Sequence, residues 1–190
     1  VARHMIARRG ADRITETLAD AGVALSDKQR SMMLDTGSPY FEYDLVGILK
    51  SAFVKKIYVP ATDECLTLAE AEKLCHSVGA IFCYAYLGDV TASVTGDKAA
   101  QKFEDDYIDE LAAYLASSGV DGITYMPTRN TSAQLARVRG LCEKHGLMQV
   151  SGEDVNSPRQ SFIVRAMEDP EFANLIDSTH YLIRHERAMA

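Results

Sequence analysis

From Thr67 to Ser151 the sequence alternates capped helical segments with short apolar runs, and this alternation restricts the chain to a fold built on a parallel sheet. Thr67 and Glu70 form an S/T-x-x-E capping box ahead of an apolar stripe, Leu68, Ala71, Leu74, Cys75 and Val78, which Gly79 ends. Ala80 to Tyr86 (AIFCYAY) is a continuous apolar and aromatic run, too short for a helix and suited to a strand covered on both faces. A polar loop, GDVTASVTGDK, leads to a predicted helix over Gln101 to Ser118 with Phe103, Tyr107, Ile108, Leu111 and Leu115 inward. Gly122 to Met126 reads as a second strand. Thr131 and Gln134 then repeat the capping box for a helix over Ser132 to His145, whose inner face is Leu135, Val138, Leu141 and Cys142, and Leu147 to Ser151 is the third strand. Such a series builds either an open doubly wound sheet or part of a barrel, and in both the chemistry sits at the carboxyl ends of the strands.

The front of the chain has a different character. Met5, Ile6, Ile14, Leu18 and Ala21 predict a helix over Ala2 to Ala21, with Gly22 just past its end. Ser26 is placed to cap a short helix through Leu34, DTGSP breaks it, and Leu45, Ile48, Leu49 and Ala52 mark a third helix from Tyr43 to Val54. The irregular, Pro60-containing stretch from Lys55 to Glu64 separates the two characters. The expected division is a helical subdomain over 1–57 and βα units over 58–190.

Composition narrows the function classes. No stretch approaches the roughly 18 apolar residues of a membrane span, and VARHMIARRG lacks the apolar core of a secretory signal, so a soluble cytoplasmic protein is expected. The chain opens on Val1 inside a helix-like segment, which predicts a longer gene product. Cys65, Cys75, Cys83 and Cys142 show no C-x-x-C spacing, which argues against a disulfide framework or a zinc knuckle. A net charge of −7 with scattered basic residues opposes binding of long nucleic acid, while a small anionic substrate in a local basic pocket remains compatible.

Three strand ends carry the candidate chemistry: Tyr86 to Asp89, Pro127 to Asn130, and Gly152 to Asn156. Glu153, Asp154 and Asn156 offer oxygen ligands to a hard or borderline cation, and Arg159 adds a positive charge nearby; the plainer reading is that Asp154 or Asn156 caps a turn. Arg129, beside Asn130, can receive a phosphate in bidentate fashion with help from the following helix N-terminus, or can be a solvated loop arginine. Tyr86 is either a ligand or proton donor, or packing at the end of a buried strand. No histidine pair stands beside a strand end and no G-x-S-x-G elbow occurs, so neither histidine catalysis nor a serine nucleophile is assigned.

GVDGITYMP followed by TSAQLARVRGLCEKHGLMQVSGEDVNS resembles the closing segment of PHP (polymerase and histidinol phosphatase) domains, with GEDVN in the place of a G-[SE]-D-x-[HN] metal turn. LTLAEAEKLCHSVGAIFCYAYLGD resembles that family's helix and strand leading to an Ala-His-Pro-Gly turn, and ARRGADRITETLADAGVALS resembles its small helical insertion. The resemblance implies an α/β fold: part of a distorted (βα)7 barrel with parallel strands plus a helical insertion. It implies two or three divalent metals (Zn, Mn or Fe) and hydrolysis of a small phosphorylated metabolite or nucleotide by metal-activated hydroxide. The early metal ligands would lie in a preceding segment, and that segment or an oligomer would cover the open strand edges.

Two positions depart from the family pattern. Tyr86 follows Ala85 where the family has His, and Asn156 stands at the end of Asp-x-His, leaving Asp154 as the one ligand matched by type. Two functions are therefore expected of this pattern: a metal-dependent phosphoesterase using Asp154, Asn156 and Glu153 at the metal with Tyr86, Arg129 and Arg159 on the substrate, or a degenerate barrel that binds a ligand without catalysis.

Overall fold

A computed structural model describes residues 1–90 and 100–189 and divides the chain into two units: Val1–Thr62 with Asn156–Gln160, and Asp63–Val155 with Ser161–Ala190. Part of the GDVTASVTGDK loop lies outside the described residues.

The described part of the first unit is helical: α1 (Ala2–Arg9), a 3-10 turn (Ala11–Arg13), α2 (Ile14–Asp20), α3 (Asp27–Leu34) and α4 (Phe41–Ile57). The single helix predicted over Ala2 to Ala21 is broken at Gly10, whose φ of 83° lies where an L side chain is disfavoured. Ser26 caps α3 as its sequence suggests: its hydroxyl accepts from the Gln29 amide and the Gln29 side chain accepts from the Ser26 amide, closing a capping box. Ile14, Leu18, Met33 and Leu45 fill the core, with Ala2, Phe41 and Ile48 around them.

The second unit contains α5 (Leu68–Ser77), β1 (Cys83–Ala85), α6 (Ile108–Ser117), β2 (Gly122–Tyr125), α7 (Ser132–His145), β3 (Met148–Ser151), two 3-10 turns (Arg165–Glu168 and Pro170–Phe172) and α8 (Ala173–Met189). Both predicted capping boxes form, at Thr67 with Glu70 and at Thr131 with Gln134. The strands make one parallel sheet in the order β1-β2-β3, with Tyr84 opposite Ile123 and Ile123 opposite Gln149. A mixed α/β fold with a parallel sheet is thus what the alternation specifies. The core gathers Ile108, Leu115, Ile123, Tyr125, Val138 and Cys142, joined by Leu175 of α8. On the same sheet face Asn174 Nδ2 donates to the Tyr125 hydroxyl (3.1 Å) and to Gln149 Oε1 (3.0 Å).

Two elements are shorter than their sequence patterns. The run Ala80 to Tyr86 yields a strand only at Cys83–Ala85, because β1 is an edge with β2 as its one partner among the described residues, and Ala85 is exposed. The predicted helix over Gln101 to Ser118 begins at Ile108 instead, since the residues before it bind the loop after β1. No described helix is long and apolar enough to cross a membrane.

Candidate functional site

A parallel sheet leaves the amides and side chains that follow its strands at one edge, and here three loops meet there. The loop after β1 turns at Gly88, whose φ is +70°. Its amides face two acidic side chains just before α6. Glu104 accepts from the amides of Leu87 (3.4 Å) and Gly88 (3.0 Å) and from the Tyr84 hydroxyl (3.0 Å). Asp105 accepts from the Asp89 amide (3.1 Å), from Gln134 Nε2 (2.7 Å) and from the Tyr86 hydroxyl (2.5 Å). Asp89 in turn accepts from the Phe103 amide (2.6 Å) and pairs with Lys102 (2.7 Å).

The loop after β2 is tied into the same cluster. Asn130, only 8% exposed, accepts from the Met126 amide (2.8 Å) and donates to the Leu87 carbonyl (2.8 Å). Gln134 completes the capping box of α7 and also donates to the Asp89 carbonyl (3.0 Å). Arg129 is exposed, with its guanidinium carbon 5.6 Å from the centre of the Phe103 ring, and has no carboxylate partner among the described residues.

Protonation follows from these contacts. Burial pushes the Tyr86 phenol far above its ordinary range, and the hydrogen bond to Asp105 adds to the shift, so the Tyr86 hydroxyl keeps its proton and donates it in that hydrogen bond to Asp105. Burial alone would raise the Asp105 carboxyl, but hydrogen bonds from Gln134, Tyr86 and the Asp89 amide hold it below the usual carboxylate range. Lys102, then the Phe103 amide, hold the Asp89 carboxyl low as well.

The residues singled out in the sequence are distributed unevenly. Tyr86 and Arg129 stand at the carboxyl edge. Glu153 is there too, but its carboxylate accepts from the Thr128 amide (2.8 Å) and the Thr128 hydroxyl. Asp154 and Asn156 are both exposed, and they fall in different units, Asn156 with the first. The backbone amides of Asn156 and Ser157 donate to Gln160 Oε1 at 3.0 and 2.8 Å, so the Gln160 side chain closes this turn. Arg159 belongs to the first unit, where both of its terminal nitrogens bind Asp44 (2.6 and 2.7 Å) and its guanidinium lies 4.3 Å from the Tyr40 ring centre.

These donor sets do not fit a divalent metal. Among the described residues no group of three or more His, Cys, Asp or Glu side chains converges, and Glu104, Asp105 and Glu153 direct their oxygens at amides and hydroxyls. Sequence reasoning missed Glu104 and Asp105. Their signal was an acidic run, Glu104-Asp105-Asp106, directly before an apolar periodicity, where it reads as an ordinary helix start.

A cavity of about 530 Å³ opens at the opposite, amino edge of the sheet, lined by Ile81, Asp121, Leu147, Met148, Asp177 and Tyr181. Its charged lining is acidic, which disfavours an anion. Comparison of the chain with protein-family models, with curated proteins and with solved structures finds no match.

Proposed function

We propose that the carboxyl edge of the sheet holds a small phosphorylated metabolite without transforming it. The observation that carries this reading is Arg129: an exposed guanidinium at that edge, braced on Phe103, with no carboxylate partner among the described residues. Four other cations are committed, Lys102 to Asp89 and Asp106, Arg137 to Asp109, Arg139 to Glu171 and Arg159 to Asp44. Directly after Arg129, α7 begins with no acidic residue in its first turn, so the positive end of the helix dipole faces the same edge. A phosphate there gains a bidentate arginine contact and the field of a helix N-terminus.

The finer architecture that accompanies this proposal is part of a distorted (βα)7 barrel of the PHP type. Its support is the order β1-β2-β3 with every pair parallel, as consecutive barrel strands require. Hydrolysis is the second reading, favoured by the position of the cluster at the carboxyl edge, and it requires metal ligands beyond those described.

Titrating the protein with inorganic phosphate and with an aryl phosphate tests the proposal. Arg129→Gln is expected to weaken phosphate binding by about tenfold or more, the worth of a charge-assisted bidentate contact. Equal affinity in the variant overturns the reading. Stoichiometric zinc, manganese or iron in the purified protein, with release of phosphate from the aryl ester, moves the assignment to hydrolysis.

A further inference from the structure

We propose that the loop Leu87–Asp89 is an anion-binding cradle that the chain fills with its own Glu104 and Asp105, so that a phosphorylated ligand enters by displacing them. The proposal rests on the binding reading above and specifies how that site is gated.

Three consecutive backbone amides, those of Leu87, Gly88 and Asp89, point at carboxylate oxygens, two of them at Glu104 and the third at Asp105. The positive φ of Gly88 turns successive N–H groups toward one side, the backbone arrangement that forms an anion-binding concavity. Glu104 is 4% exposed and has no cation partner among the described residues. A buried carboxylate is tolerated without a counter-charge only where donors converge on it, and here the donors are the two amides and the Tyr84 hydroxyl. Donors arranged for one oxyanion serve another. A phosphate presents oxygens of the same acceptor type with more charge.

The segment that fills the cradle also supports Arg129. Phe103, adjacent to Glu104, lies beneath the Arg129 guanidinium and donates its amide to Asp89. Withdrawal of residues 103–105 therefore vacates the amides and releases the arginine together. The occupied form is held by the Lys102–Asp89 pair and by Gln134, which bridges Asp105 and the Asp89 carbonyl.

The test is a titration of the full chain with inorganic phosphate, followed through the backbone amide NMR signals of Leu87, Gly88 and Asp89. Glu104→Gln keeps the size of the side chain and removes its charge. It is expected to bind phosphate about tenfold more tightly than the wild type, because a neutral acceptor competes less well for amides than a charged one. The largest shift should be at Gly88. An unchanged affinity, or shifts confined to other residues, overturns the proposal. If Glu104→Gln does not fold, Asp105→Asn leaves a weaker, neutral competitor for the Asp89 amide alone; a roughly threefold tightening with movement of the Asp89 signal is then expected, and equal affinity overturns the proposal. Loss of binding in Arg129→Gln with no effect of either acidic substitution leaves the binding site standing and removes the gate. No shift in any of these proteins removes both.

Discussion

The side-chain amide of Asn130 donates to the carbonyl of Leu87 at 2.8 Å, and this bond ties the loop after β2 to the loop after β1 across 43 residues of chain. The other end of the same side chain accepts from the Met126 amide at 2.8 Å. Asn130→Ala leaves a buried donor and acceptor unpaired and is expected to cost about 2–4 kcal/mol, measured by denaturant unfolding. Asn130→Asp keeps the acceptor and loses the donor. It should regain stability as pH falls, because a protonated carboxyl can donate to Leu87 again.

Gly88 is constrained twice. Its φ of +70° disfavours any side chain, and an added Cβ would stand 2.8 Å from Asn130 Nδ2, 2.8 Å from Gln134 Nε2 and 2.9 Å from the Tyr86 hydroxyl oxygen. Those side chains are hydrogen-bonded in place, so Gly88→Ala is expected to cost about 2–4 kcal/mol. Gly22 is the control: its φ is +74° with no atom within 4 Å of the added Cβ. Gly22→Ala should cost only about 1–2 kcal/mol, the backbone share. Similar losses at both positions in thermal or denaturant unfolding would show that the crowding at Gly88 is relieved freely.

His76 lies between Asp121 (2.9 Å) and Glu72 (2.6 Å), at the end of α5. The hydrogen bond to Asp121, and after it the one to Glu72, raise its imidazole above the ordinary value of 6.5. A histidine raised on folding adds stability that is fully present below the unfolded pKa and is lost as pH rises through the folded one. The melting temperature of the wild type minus that of His76→Gln should therefore be largest in mild acid and shrink upward through the imidazole titration. A difference independent of pH would mean that the two carboxylates do not act on the ring.

Asp44 exposes 4% of its side chain and receives both terminal nitrogens of Arg159, 115 residues away, whose own side chain is 41% exposed. Arg159→Ala leaves that carboxylate buried without its partner and should cost about 1–3 kcal/mol. Arg159→Lys should recover little, because an ammonium cannot make the paired contact. Phosphate affinity should be unchanged in Arg159→Ala, in contrast to Arg129→Gln. A loss of affinity would show that the guanidinium serves a ligand as well as Asp44.

Local chemistry alone specified the helix cap at Ser26, the capping boxes at Thr67 and Thr131, the order of helices and short strands after Thr67, and the placement of polar residues at strand ends. Each depends on residues within a few positions of one another, and sequence spacing shows that directly. Tertiary structure decided which polar groups are already satisfied. Glu104 and Asp105 stand in what reads as the first turns of a helix, yet they bind amides that precede them by about 16 residues, so α6 starts only at Ile108. Arg159, next to an apparent metal turn, instead binds Asp44. A side chain's charge is written in the sequence, but its partner is chosen by packing, because a buried carboxylate must find donors wherever the folded chain brings them.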